Sequence, residues 1–237
     1  MLTLVSVICL GFVLGMRHAT DADHVVAVST IVTRQRNVRG AAMIGALWGV
    51  GHTLTLLAVG GCIVLFGLVI SPRVGMSMEF SVGLMLILLG AWNLNVFGKW
   101  LRSKRELNVM PSGTAEDESG MVRRLDSRFA TGSFYQTLRP FAVGTVHGLA
   151  GSAAVALMVL PMIHDAYWAL GYLLVFGVGT IAGMMAITAA IAWPFSHAAA
   201  RSTVTHRRLG WASGFASFCF GLFMVYHIGV TQGLLTK

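Results

Sequence analysis

Apolar residues run almost unbroken through six stretches of this chain, 2–32, 41–70, 78–98, 140–163, 166–194 and 209–231, and polar residues gather between them. Each stretch exceeds the roughly 20 residues a helix needs to cross the hydrocarbon of a bilayer. None alternates apolar and polar positions as the strands of a membrane barrel would. The pattern predicts an all-α membrane protein with six transmembrane helices. The first two stretches, at about 30 residues, would each be about 45 Å long if straight, so tilt or a break is expected. Gly15 and the polar residues after it mark the place for a break in the first.

Composition agrees with that class. Hydrophobic residues make up 56% of the chain and charged residues only 11%, with a mean hydropathy of +0.75; soluble domains carry about 25% charged residues. A pI near 10.1 raises the question of nucleic acid. The placement of the basic residues answers it. Arg34, Arg36 and Arg39 follow the first stretch. Lys99, Arg102, Lys104, Arg105, Arg123, Arg124, Arg128 and Arg139 follow the third, and Arg201, Arg207 and Arg208 follow the fifth. All of these loops fall on one side of a six-helix topology, which the positive-inside rule makes cytoplasmic, with both termini outside. The excess charge sets orientation and implies no nucleic acid partner. The expected location is a bacterial inner membrane, as a multi-pass protein. Residues 1–16 lack a basic n-region and a small-residue cleavage site, so no cleaved signal peptide is expected.

The polar stretch 99–139, with Pro111-Ser-Gly-Thr114 and Glu116-Asp-Glu118, reads as a solvated cytoplasmic connector. It separates two halves of three spans, 1–98 and 140–237, which carry related motifs. Phe12-Val-Leu-Gly15 precedes His18 as Phe141-Ala-Val-Gly144 precedes His147, and Trp48-Gly-Val-Gly51 parallels Phe176-Gly-Val-Gly179. Three crossings per half would insert the second copy upside down. Inverted repeats with interrupted helices and a site near the midplane are a transporter architecture.

The chemistry concentrates in Arg17-His-Ala-Thr-Asp-Ala-Asp-His24. A carboxylate near the bilayer centre costs roughly 2.5–3.5 kcal/mol on insertion scales, so such groups are kept where a cation, a proton path or a substrate offsets the cost. Imidazole beside carboxylate suits a divalent metal of the nickel, cobalt or zinc kind. On an unbroken helix His18, Asp21 and His24 share a face and Asp23 points away. If the helix unwinds there, either aspartate is a candidate ligand and the other orients a histidine through its second nitrogen. His52, in Gly51-His-Thr-Leu-Thr55, lies at a similar depth in the second span, where Gly49 and Gly51 permit close helix approach.

The segment Arg17–His24, read as His18-x-x-x-x-Asp23-His24, resembles the signature of the nickel/cobalt transporter (NiCoT) permease family, and Gly51-His52-Thr53 resembles that family's second patch. The resemblance implies a metal site of His18, Asp23, His24 and His52, and it favours Asp23 over Asp21. Asp21, His147 and Ser152 are further candidates for the surroundings of the ion or its path. The second half departs from the family pattern: spans four to six carry no acidic residue, and Gly144-Thr-Val-His147-Gly-Leu-Ala-Gly-Ser152 stands where acidic residues are usual. The short chain looks most like a compact, urease-linked branch.

The expected function is therefore uptake of a divalent transition metal, Ni²⁺ first by the Irving–Williams order and Co²⁺ second, as transported substrate with no permanent cofactor. Efflux within the same superfamily is the alternative. A membrane-embedded metalloenzyme ranks below both, because the zincin motif His-Glu-x-x-His is absent. No nucleotide-binding loop is present, and Met1-Leu2-Thr3 lacks the second-position histidine of ATPase-coupled nickel components, so a stand-alone carrier is expected. His147 divides evenly between structural and functional roles. His227 reads as interfacial, and His164, His197 and His206 as solvated loop residues. Asn93 and Asn95 read as path-lining or helix-bonding, and Cys9, Cys62 and Cys219 as buried packing residues.

Overall fold

The computed structural model describes residues 4–33, 35, 37–67, 71–107, 133–149, 163 and 165–236. Among them the chain is helical, with no strand: α1 (Leu4–His18), α2 (Ala22–Val32), α3 (Val38–Phe66), α4 (Pro72–Leu107), α5 (Ser133–Gly148), α6 (Ala166–Arg201) and α7 (Thr203–Tyr226), followed by a π-helical turn at His227–Thr231. Local chemistry explains several ends. The Asn37 side chain accepts the Arg39 N–H and opens α3, and Asp165 accepts the N–H groups of Tyr167 and Trp168 at the start of α6. Gly67, at φ 61°, closes α3 in the left-handed region. Ser202 serves two helices, its N–H closing on Ala198 and its hydroxyl accepting from Thr205.

Among the described residues four helical segments are long and apolar enough to cross a membrane: Val38–Phe66, Pro72–Asn95, Ala166–Ala198 and Val204–Thr231. The first expected span is instead two helices of 15 and 11 residues, α1 and α2. Its break falls at Ala19–Asp21, within the polar motif. There the Thr20 hydroxyl donates to the Arg17 carbonyl, and Asp21, in the N-cap position of α2, makes no capping bond because its carboxylate accepts from His18. The fourth expected span is described only through α5. Residues 150–162, and Ser152 with them, lie outside the described residues, as does His164.

Helix ends and hydropathy ends differ. α4 runs on to Leu107 and α5 opens at Ser133, so both flanks of the expected connector 99–139 are helical. α6 continues past Pro194 to Arg201. Lys, Arg, Glu and Leu are good helix formers, and nothing obliges a helix to stop where the hydrocarbon does.

α1 packs on α6, α3 on both α6 and α5, and α4 on α7. Glycines set these crossings. A Cβ at Gly15 would strike the Phe176 carbonyl oxygen, and one at Gly179 the Phe12 carbonyl oxygen. In the same way Gly144 meets Trp48 O, and Gly51 meets Phe141 O. Thus Phe12-Val-Leu-Gly15 lies against Phe176-Gly-Val-Gly179, and Phe141-Ala-Val-Gly144 against Trp48-Gly-Val-Gly51. Lipid supplies no hydrophobic drive between helices, and close backbone contact of this kind is what holds them. Leu54, Leu88, Leu174, Val178 and Phe223 point outward, where only a bilayer suits them.

Interhelical hydrogen bonds tie α2 and α4 to α7. Ser29 bonds Ser213, Ser217 donates to Leu86 O, and Asn93 donates to Gly210 O. Asn93 is therefore a helix-bonding residue, whereas Asn95 is exposed. Two expectations need correction. Cys9, Cys62 and Cys219 are exposed on outer faces rather than buried. His197 and His206 belong to helices, and His206 Nδ1–H, half-buried, donates to the Phe195 carbonyl.

Candidate metal centre

His52 sits midway along α3, 14 residues from each end (52 − 38 and 66 − 52), so a spanning α3 carries it to mid-depth. Around it converge the break between α1 and α2 and the end of α5. His18 is the last residue of α1, His24 lies in the first turn of α2, and His147 is in the last turn of α5. All four imidazoles are buried, at 3% exposure or less. Ring centroids lie 4.7 Å apart for His18–His24, 5.1 Å for His18–His52, 5.2 Å for His24–His52 and 4.2 Å for His24–His147.

Each carboxylate takes a different place. Asp21 Oδ2 accepts from His18 Nδ1–H at 2.8 Å, and its side chain is 43% exposed, against 12% for Asp23. That bond leaves the His18 Nε2 lone pair facing inward, 3.1 Å from His52 Nε2. Asp23 lies inside the cluster. Its Oδ1 accepts from the His24 backbone N–H at 3.0 Å and faces His24 Nδ1 at 3.1 Å, while its Oδ2 stands 3.1 Å from His147 Nε2. His147 Nε2 is 3.4 Å from His24 Nδ1.

His24 Nε2, His52 Nδ1 and His147 Nδ1 are buried with no hydrogen-bond partner. An unpaired buried polar atom costs about 1–3 kcal/mol, so three in one cluster signal an unsatisfied function. With Asp23 accepting N–H bonds from His24 and His147, and His52 Nε2–H donating to His18, the three unpartnered atoms carry lone pairs in the empty cluster; binding an ion through Nε2 of His147 or His52 instead puts the proton of that ring on Nδ1. Among the described residues two groups could hold a metal ion, His18/His24/His52 and Asp23/His24/His147, each with its candidate ligand atoms within 4.8 Å of one another. Helix ends add to this: α1 and α5 both bring their C-termini to the cluster, and a helix C-terminus carries about half a negative charge.

The sequence-derived candidates His18, Asp23, His24 and His52 are thus brought together, Asp21 backs His18 from outside, and His147 joins the group. The Thr145 hydroxyl, two residues before His147, donates to Phe141 O within α5. The single-face stripe of His18, Asp21 and His24 is lost because the helix breaks between them. The aromatic walls went unrecognised in the sequence: Trp48 stacks on His24 at 6.1 Å and meets His147 edge-on at 5.6 Å, and Phe176 lies 5.6 Å from His18. Trp48 stands four residues before His52, one helical turn away, and that spacing was the available signal.

Residues 4–206 match the family described as NicO, high-affinity nickel-transport protein. A urease accessory protein, UreH, from Bacillus sp. (strain TB-90) is 36% identical over 231 residues, covering 98% of this chain and 95% of its own. Two Arabidopsis thaliana proteins, chloroplast proteins FOR GROWTH AND FERTILITY 2 and 1, are 25% and 24% identical over 91% of this chain, which spans 55% and 57% of their lengths. No solved structure matches. A helical membrane protein matched over most of its length in this way, with buried imidazoles and a carboxylate at its centre, belongs to the NicO family of high-affinity nickel-transport proteins.

Proposed function

We propose that this chain is a permease taking up divalent transition metal, Ni²⁺ first and Co²⁺ second, across a bacterial inner membrane. In this reading His18, Asp23, His24 and His52 hold the ion near the midplane, with Asp21 orienting His18. His147 lies on or beside the path, and Ser152 is a further candidate. The observation that carries the reading is the buried cluster of four imidazoles around Asp23 at a helix break. Hydrated Ni²⁺ sheds water there for nitrogen and oxygen ligands, which bind it more tightly than Co²⁺. The family description, high-affinity nickel transport, points the same way.

Six crossings are proposed, with basic loops cytoplasmic, residues 99–139 as the cytoplasmic connector, and 1–98 and 140–237 as inverted repeats. Support for the repeats comes from the crossings. The α1/α6 and α3/α5 pairs use the same aromatic-x-x-Gly partners reciprocally, and His18 and His147 both lie in the last turn of the helix that carries them.

Metal accumulation tests the function. Cells carrying this chain are expected to gain ⁶³Ni faster than cells without it, with Co²⁺ competing less well than unlabelled Ni²⁺. Faster loss of preloaded metal would assign efflux instead.

The two aspartates separate by rank. Removing an outer partner of a metal-bound histidine costs about 10–100-fold in affinity. Asp21→Asn should therefore lower uptake about tenfold, and Asp23→Asn about a hundredfold or more. The reverse order in initial uptake rates would make Asp21 the ligand.

A further inference from the structure

We infer that the central cluster is two adjacent metal stations sharing His24, not one site, and that an ion crosses by passing from one to the other. The inference rests on the permease reading above. The first station is Asp23/His24/His147 and the second His18/His24/His52.

Spacing supports the division. Two atoms bound to one ion at about 2.0–2.1 Å sit roughly 2.9–3.4 Å apart for octahedral or tetrahedral angles. In the first station the separations are 3.1 Å for Asp23–His147, 3.1 Å for Asp23–His24 and 3.4 Å for His147–His24. In the second, His18 Nε2 and His52 Nε2 are 3.1 Å apart. The first set is spaced for one ion as it stands; in the second the His18/His52 pair is, with a His24 ring nitrogen within 4.8 Å of both.

His24 belongs to both through different atoms. Its Nδ1 faces Asp23 and His147, while its Nε2 has no partner and is left for the side of His18 and His52. A neutral imidazole has a lone pair on one ring nitrogen at a time. His24 therefore serves one station at a time. The two states differ in which ring nitrogen of His24 holds its single proton, and the ring that binds beside it, His147 or His52, keeps its own proton on Nδ1 while Nε2 binds, so the exchange changes no net charge. When the ion occupies the second station, Nδ1–H donates to Asp23; when it occupies the first, the proton is on Nε2.

Such a division suits transport. Four imidazoles and a carboxylate closing together on one ion would hold it too tightly to release, and conduction needs several weaker sites rather than one deep one. Splitting the cluster limits the ion to three protein ligands at any moment. Each station also has its own helix end, α5 at His147 and α1 at His18.

The test is Co²⁺ binding to the purified full chain in detergent, read by stoichiometry and by the visible d–d bands. One ion per chain is expected for the parent. His52→Ala and His147→Ala should each still bind one ion, with bands that differ from each other because one remaining set contains a carboxylate and the other is all imidazole. Both variants should lower uptake at least roughly tenfold, since either leaves only one station. His24→Ala should bind none. His52→Asn and His147→Asn, which fill the same space, repeat the measurement on chains that elute as monodisperse species. Two ions per parent chain would overturn the sharing of His24. Loss of binding in both the His52 and the His147 variants would mean a single undivided site, and would leave the permease reading standing. No Co²⁺ bound by the parent would end both.

Discussion

His24→Ala is expected to abolish nickel accumulation while the amount of protein in the membrane stays within about twofold of the parent. His24 is the only residue common to both groups of ligating atoms, and its ring touches those of His18, His52 and His147 as well as Trp48. On the proposed reading its loss removes a ligand whichever group holds the ion. Direct ligands matter more than the outer partners that cost about 10–100-fold, so a drop beyond a hundredfold is expected. The fold should tolerate the change, because His24 lies at the start of α2 and sets no helix crossing; the crossings rest on glycine and backbone contacts elsewhere. His18→Ala should behave alike, since it removes the group that Asp21 orients toward His52. Uptake of ⁶³Ni beside an immunoblot of the membrane fraction checks both. If both variants accumulate nickel like the parent, the cluster is not the metal site.

Much of this centre was legible in the sequence because charge is rare in apolar spans. Arg17–His24 stands out in a stretch that otherwise suits hydrocarbon, and depth counting brought His52 to it. What the sequence lacked was the geometry of the break. A 3.6-residue period assigns faces only while the helix continues, and here it stops at Ala19–Asp21, so the stripe of His18, Asp21 and His24 does not form. The exchange of roles between the aspartates follows from that break. Asp21 ends up beside His18 Nδ1 at the rim, and Asp23, two residues on, turns toward His147. No spacing rule foresees this.

His147 illustrates a different limit. One histidine in a membrane helix is as often a helix-bonding residue as a ligand, and only the meeting of α5 with α2 and α3 brings it to His24 and Asp23. The cysteines show a third. Lipid and protein interior are both apolar, so hydropathy cannot tell an outward Cys62 from a packed one. Hydropathy likewise missed the helical ends of the connector, because a helix that has left the hydrocarbon keeps its own hydrogen bonds.

Gly144→Ala is expected to lower the thermal midpoint of the detergent-solubilised protein by about 2–12 °C, whereas Gly75→Ala should leave it unchanged or slightly raised. A Cβ at Gly144 would collide with the carbonyl oxygen and the ring of Trp48, and backbone cannot move aside as a rotamer can. Relief requires α5 to back away from α3 along the crossing. Overpacking of this kind costs typically 1–3 kcal/mol, and for a chain of this size each kcal/mol shifts the midpoint by about 2–4 °C. Gly75 has no atom within 4 Å of the same added carbon, so there the change brings only the better helix propensity of alanine. The crossing also reaches the proposed metal centre. Trp48 walls His24 and His147, and a Cβ at Gly148, one residue past His147, would fall against the His52 backbone. Separation of α3 and α5 therefore pulls His147 from His52. Uptake per folded molecule should fall with Gly144→Ala, and Gly15→Ala should reproduce the effect at the α1/α6 crossing, where the added carbon meets the Phe176 carbonyl beside His18. Equal midpoints for Gly144→Ala and the parent, measured by fluorescence-detected size exclusion after heating, would show that these helices do not cross at backbone contact.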